Sequence, residues 1–144
     1  GTPKEIDQSI IDKIVKEKKV PVIAPLGLDK NNQVFNINAD TAAGAIAKKL
    51  RSRRLLLMTD IEGVMDNNNN LIIEITPSLA KKMIVEEVIK GGMLPKISTC
   101  IDAVNNGVRG VVIIDGRKAH SILFELFSDK GSGTLIRKWI NLKI

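Results

Sequence analysis

Leu55-Leu56-Leu57-Met58, bounded by Arg53-Arg54 and by Thr59-Asp60, is an apolar run with no alternation in it. A strand with one wet face alternates apolar and polar residues, whereas a strand covered on both faces reads as an unbroken apolar stretch. The run therefore predicts a central strand of a mainly parallel sheet. Its carboxyl end opens into Asp60-Ile61-Glu62-Gly63-Val64. In open α/β sheets ligands bind beyond the carboxyl ends of the strands, which makes this loop a candidate site.

Working outward, helices and strands alternate. Toward the C-terminus, Asn67 to Asn70 reads as a tolerant turn, and Ile72, Ile73 and Ile75 as a short strand. Thr76-Pro77 starts a helix carrying Ala80, Met83, Ile84 and Val88 on its apolar face. Ile97, Cys100, Ile101 and Val104 mark a second helix, which Asn106-Gly107 stops. Val111 to Ile114 is another buried strand ending in Asp115-Gly116, His120 to Phe127 a last helix, and Gly133 to Ile136 a last short strand. Toward the N-terminus, Ile6, Ile10, Ile11, Ile14 and Val15 form a helical stripe running into the basic residues Lys16 to Lys19. Val20 to Ala24 reads as a short buried strand, and Leu26 to Phe35 as a hairpin turning at Asp29-Lys30-Asn31-Asn32. Ala43, Ile46, Ala47 and Leu50 share one helical face, with Asn38 or Asp40 as N-cap. No internal repeat or long linker divides the chain. Residues 1–144 are expected to form a single α/β domain, a mainly parallel sheet sandwiched between helices.

Composition narrows the function classes. At 144 residues with 44% hydrophobic and 26% charged content, the chain has enough apolar material for one proper core. It has no apolar run of membrane-spanning length and no signal-peptide pattern at its start. The single cysteine, Cys100, lies on an apolar helical face, without a disulfide partner or fellow metal ligands. That favours a reducing compartment, the cytoplasm or a plastid stroma. The formal charge of +6 would suit nucleic acid, but the basic residues are interleaved with acids and only 3% of residues are aromatic. Stacking platforms are scarce, so small anionic substrates explain the surplus better.

Gly91-Gly92-Met93-Leu94-Pro95-Lys96 gives that anion a place to sit. The glycines let backbone approach a ligand, Pro95 suits a first helical turn, and Lys96 adds a full charge where helix N–H groups already attract anions. Asn36, Asn38 and Asp40 recur at every second residue. In an extended segment they point one way, with Ile37 and Ala39 toward the core. These groups can hold a polar substrate, bind a metal or orient a lysine, and the asparagines can equally cap the following helix. Gly131-Ser132-Gly133-Thr134 lacks the Gly-Lys-Ser/Thr ending of a phosphate loop. His120, the only histidine, has no evident second ligand or nucleophile beside it and reads as structural.

Taken together, Asn36-Ile37-Asn38-Ala39-Asp40-Thr41-Ala42-Ala43, the run from Leu55 to Val64, and Gly91 to Lys96 closely resemble the acetylglutamate kinases. These are the arginine-biosynthesis branch of the amino-acid kinase family. The likeness extends from about Val20 to Ile136. It implies transfer of the γ-phosphoryl group of ATP, accompanied by Mg²⁺, to the side-chain carboxylate of N-acetyl-L-glutamate, giving N-acetyl-L-glutamyl 5-phosphate. On that resemblance Asn36 binds acetylglutamate with Asn38 nearby, Asp40 orients catalytic lysines, and Lys96 neutralises charge on the transferring group. Thr59, Asp60, Ile61, Glu62, Gly63 and Val64 hold the nucleotide, and no protein metal site is implied. His120, Glu125, Phe127 and Gly131-Ser132-Gly133-Thr134 resemble the segment with which arginine-inhibited members bind L-arginine, Glu125, Gly131 and Gly133 being the effector candidates. Some members also bind a PII-type signalling protein, and the complete enzyme is expected to be a homo-oligomer.

The resemblance also implies a glycine-rich phosphate loop, a second catalytic lysine and a substrate arginine, none of which has a counterpart here. The chain, opening Gly1-Thr2-Pro3, is therefore expected to be the nucleotide-binding C-terminal half, with the N-terminal half absent. Two readings stay open: half of a kinase completed by another segment, or a non-catalytic nucleotide- or arginine-binding regulatory module left after loss of that half.

Overall fold

The computed structural model of the chain describes residues 1–129 and 131–138. Helix α1 (Gln8–Lys16) begins where the Asp7 carboxylate accepts from Ser9 N at 2.9 Å, and ends on Lys13 and Lys16 in its last turn. Strands β1 (Leu26–Leu28) and β2 (Val34–Asn36) pair antiparallel. Their turn is held by Asp29, whose Oδ1 accepts from the backbone of Asn31 and Gln33. Helix α2 (Ala39–Lys49) is capped by Asn38, whose Oδ1 accepts from Thr41 N at 3.1 Å. Of the two cap candidates, Asn38 therefore fills the role and Asp40 lies in the first turn.

Strand β3 (Leu55–Thr59) is followed by the Asn67–Asn70 turn, closed by Asp66 accepting from Asn68 N and Asn70 N. Then come β4 (Glu74–Ile75) and α3 (Pro77–Val85), the latter capped by Thr76 with proline in its first turn. The remaining elements are α4 (Met93–Asn105), β5 (Val111–Asp115), α5 (Ser121–Phe127) and β6 (Gly133–Ile136). The four-stranded sheet runs β3-β5-β6-β4. The β3–β5 and β4–β6 pairs are parallel and β5–β6 is antiparallel, so the sheet is mainly parallel as the sequence predicts.

Alternation along β5 divides the core. Val111 and Ile113 join one cluster with Ala47 of α2, Ala80 and Met83 of α3, and Ile97, Cys100, Ile101 and Val104 of α4. Val112 and Ile114 point the other way and are equally buried, and α5 packs against β5.

Several expectations are corrected. Helix α3 stops at Val85, with Glu87 at φ +56° just beyond, so Val88 lies outside it, and the strand expected over Ile72, Ile73 and Ile75 is confined to Glu74–Ile75. Val20 to Ala24 is not a strand: Val20 and Val22 are 85% and 95% exposed, and Pro21 has no N–H to donate to a ladder. Among the described residues, strand β3 is not central but an edge of the sheet, with Met58 47% exposed. Its apolar run is covered on the α2 side, where Leu57 is buried, whereas the cover that α5 gives β5 does not extend over Met58. Finally, Ile37 is buried but Ala39 is exposed, because the helix begins at Ala39 and ends the alternation there.

Candidate active site

Each of the parallel strands β3 and β5 is preceded by a helix running the opposite way. The C-terminal ends of α2 and α4 meet at the amino ends of the strands, where Ser52 N bonds to Ala47 O, Arg109 N to Ser52 O and Leu55 N to Gly110 O. The helix N-termini are thereby carried to the carboxyl ends of the strands. Helices α2 and α4 also approach closely: a Cβ on Gly44 would stand 2.8 Å from Thr99 Cγ2.

Where the two first turns converge, Lys96 Nζ donates to Asp40 Oδ2 at 2.6 Å, across 56 residues of sequence. The side chains are only 13% and 28% exposed. A cation in a first helical turn opposes the helix dipole, and the Asp40 carboxylate offsets that cost while fixing the ammonium in place. The result is a held positive charge between two helix ends that themselves attract anions. Asn38 precedes this pair as the α2 cap, and Asn36 ends β2 with its carbonyl accepting from the Gly1 ammonium at 2.8 Å. Both asparagines are exposed.

The loop after β3 has two parts. Thr59 Oγ1 donates to Asp60 Oδ1 at 3.2 Å, and Asp60, Ile61 and Glu62 form an exposed rim. Gly63 and Val64 are buried anchors. Val64 N donates to Thr134 Oγ1 at 2.8 Å, and that hydroxyl donates to Ile72 O at 2.6 Å. Gly63, at φ +154°, could carry no side chain, since a Cβ would lie 2.5 Å from Thr134 Oγ1. At the end of β5, Gly116 N donates to Thr59 O at 2.7 Å, and Arg117 grips Asp115 through Nε at 3.0 Å and one terminal nitrogen at 2.9 Å. These bonds, with a further one from Arg117 N, hold the Asp115 carboxyl below its usual range.

The tail residues converge as well. Glu125, with a side chain 6% exposed, accepts from Arg54 at 3.0 Å and from Ser132 N at 3.0 Å. Gly131 sits at φ +65°, where a Cβ would stand 2.8 Å from Glu125 Oε2. Gly133 is required by the sheet, because its Cβ would lie 1.9 Å from Ile113 O. His120 and Phe127 remain exposed.

Residues 1–115 match the model of the amino acid kinase family. The chain belongs to that family. It is 60% identical over 138 residues to an acetylglutamate kinase of Pelagibacter ubique, covering 96% of this chain and 48% of that protein. It is 48% identical over the same length to one of Rhodopseudomonas palustris, covering 46% of it. The chain thus spans about half the length of these curated relatives. Among solved structures it resembles N-acetylglutamate synthase from Neisseria gonorrhoeae complexed with coenzyme A and L-arginine. The TM-score is 0.87 at 25% identity, covering 94% of this chain and 32% of that one. Carbamate kinase from Giardia lamblia bound to AMP-PNP shares the fold, with a TM-score of 0.70 at 23% identity, covering 96% and 46% of the two chains.

In this member of the amino acid kinase family, then, the structure places Asp40 and Lys96 in contact, with Asn36 and Asn38 leading into them. It splits the loop into an exposed rim, residues 60–62, and a buried part, Gly63 and Val64, and it sets Gly131 and Ser132 against the Glu125 carboxylate while Gly133 lies in the sheet against Ile113. Sequence reasoning passed over Asp115 and Arg117. The available signal was an Asp-Gly turn at the end of an apolar strand with an arginine directly behind it. An open apolar groove of about 430 Å³, lined by Pro21, Ile23, Ala39, Ala43, Ile46 and Leu55 among others, occupies a different flank of α2.

Proposed function

We propose that the chain supplies the nucleotide-binding half of an enzyme that transfers the γ-phosphoryl group of ATP to the side-chain carboxylate of N-acetyl-L-glutamate. The observation that carries this reading is the Lys96–Asp40 pair, set between two helix N-termini at the carboxyl ends of parallel strands. The 60% identity to an acetylglutamate kinase supports the choice of acceptor. In the reaction a carboxylate oxygen attacks the γ-phosphorus, the bond to the β-bridging oxygen breaks, and ADP leaves. Two anions must be brought into line, so positioning and positive charge supply most of the catalysis. Lys96 meets charge developing on the transferring oxygens, and Asp40 keeps its ammonium aimed there. Asn36 and Asn38 offer amides to the acceptor, and the exposed 60–62 rim faces the nucleotide. Mg²⁺ enters as the counter-ion of ATP. Regulation by L-arginine belongs to the same reading. The Neisseria synthase carries L-arginine, and Glu125 here already holds a guanidinium, that of Arg54.

The test is to place the preceding half of the Pelagibacter relative in front of Gly1 and measure acetylglutamate-dependent ADP release, with hydroxylamine trapping of the acyl phosphate. Turnover is expected. Lys96→Ala is expected to lower kcat on the order of 10²–10³-fold with a far smaller change in Mg-ATP affinity. Unchanged turnover in that variant would remove Lys96 from the mechanism.

A further inference from the structure

Asp60 and Glu62 give the exposed rim two negative charges at the place where, on the reading above, a polyanionic nucleotide must arrive. Left alone, such a rim repels its ligand. The structure sets a cation beside it. Gly116 N is bonded to Thr59 O at 2.7 Å, which pins the residue before Arg117 to the residue before Asp60. Arg117 is then fixed on Asp115, itself only 7% exposed, by three bonds: from its backbone N at 2.9 Å, from Nε at 3.0 Å and from a terminal nitrogen at 2.9 Å. One edge of the guanidinium is used, while the side chain as a whole stays 66% exposed. We propose that Arg117, braced by Asp115, is a positioning residue that neutralises the Asp60–Glu62 rim and so admits an anionic nucleotide at the carboxyl ends of β3 and β5.

The inference rests on the reading of 59–64 as a nucleotide loop. The charge state of Arg117 agrees with it: its affinity for its proton is raised first by the bonds to Asp115 and then by the charges of Asp115, Asp60 and Glu62. Lys118, the neighbouring cation, is felt by Asp115. A merely structural Arg117 would brace the turn into α5 and nothing more. The two roles separate because bracing needs hydrogen-bond donors, whereas neutralising the rim needs charge.

The test is calorimetric titration of Mg-ATP into the chain fused, as above, behind the preceding half of the Pelagibacter relative. Arg117→Gln, which keeps donors for Asp115 but loses the charge, is expected to weaken binding about three- to tenfold. The thermal midpoint should stay at that of the unaltered fusion. The loss should shrink at about 1 M salt, where charges beyond a few ångströms are screened. Arg117→Lys should retain most of the affinity. In a Glu62→Gln background the Arg117→Gln penalty should fall to less than half its size on a logarithmic scale. Unaltered affinity in Arg117→Gln, while Asp60→Ala weakens binding, would overturn the inference and leave the nucleotide loop standing. A full penalty persisting in the Glu62→Gln background would also overturn it, by pointing to direct contact with phosphate. No saturable binding to the unaltered fusion would remove the nucleotide loop, and this inference with it.

Discussion

Strands β3 and β5 lie side by side in full register, Leu55 opposite Val111 through Thr59 opposite Asp115. Both are unbroken apolar runs in the sequence, and they end differently. Every residue of β5 is buried, whereas β3 is an edge strand with Met58 47% exposed. An apolar run thus records that a strand needs cover on both faces, and says nothing of whether this stretch of chain supplies it. On the shared face, α2, α3 and α4 cover both strands; on the other, the seven residues of α5 serve β5. The Lys96–Asp40 pair and the Asp60–Glu62 rim sit at the carboxyl ends of this half-covered pair.

The sharpest way to break that contrast is to add one methyl group on each side of it. At Gly133 a Cβ would lie 1.9 Å from the carbonyl oxygen of Ile113, in backbone locked by the β5–β6 ladder, so the strands must separate. Gly133→Ala is expected to cost on the order of 3 kcal/mol or more, a fall of roughly 10 °C in the thermal midpoint. At Gly116, beside β3, a Cβ meets the flexible end of Met58 at 3.3 Å. Gly116→Ala is expected to cost less than about 1 kcal/mol. Equal losses in the two variants would mean that β3 is as tightly enclosed as β5.

Truncating side chains asks the same question more gently. Ile113, fully buried among α3 and α4, should lose about 2–5 kcal/mol on conversion to alanine. Met58→Ala should lose less than about 1 kcal/mol, because its side chain is half in water already. Urea unfolding of both variants at one protein concentration gives the comparison directly.

These elements also mark how far the sequence could be read. Helical periodicity, an unbroken apolar run, caps and turn residues locate α2, α3, α4, β5 and the β1–β2 hairpin, because those signals are local: Asn38, Thr76 and Asp29 bond within a few residues of themselves. The pairing of Asp40 with Lys96 could be expected from the family resemblance, since spacing alone cannot announce a contact across 56 residues. Strand order was out of reach. Nothing in Leu55 to Thr59 distinguishes an edge from a centre, and the apolar run alone predicts a centre. Val20 to Ala24 misled for a related reason: apolar, β-branched residues raise strand propensity, but a strand needs a partner, and Pro21 weakens any ladder. The Asp115–Arg117 grip was overlooked because its meaning depends on Thr59 and Asp60 lying beside it in the sheet.

On the covered side, Cys100 provides a probe that depends on pH. Burial pushes its thiol up to about 12 from 9.0, with the nearby Asp40 carboxylate adding to the effect. A group whose pKa is raised by folding contributes stability that is intact below the unfolded value and is lost as pH climbs toward the folded one. The window therefore runs from about pH 9 to about pH 12. Denaturant unfolding at about pH 10.5 should show a loss of about 1–2 kcal/mol relative to pH 8. Cys100→Ala should reduce that difference, and native Cys100 should resist thiol reagents until the chain unfolds. A pH dependence identical in Cys100→Ala would show that α4 does not seal the thiol.

The smallest expected change in stability concerns the open edge itself. A β-edge with free N–H and C=O groups and an apolar surface invites a second strand, and charged side chains are the usual guard against it. Met58→Lys places such a charge on β3 where the native side chain already meets water. The stability change should stay within about 0.5 kcal/mol, the range of substitutions at exposed positions. Self-association should nevertheless fall, seen as a lower concentration dependence of the sedimentation coefficient and less light scattering on storage. If Met58→Lys instead unfolds the chain, β3 has cover on the α5 side and the contrast with β5 disappears. If stability holds but association does not change, the edge is open yet already protected by its neighbours Arg53 and Arg54, and neutralising those two arginines should then raise association.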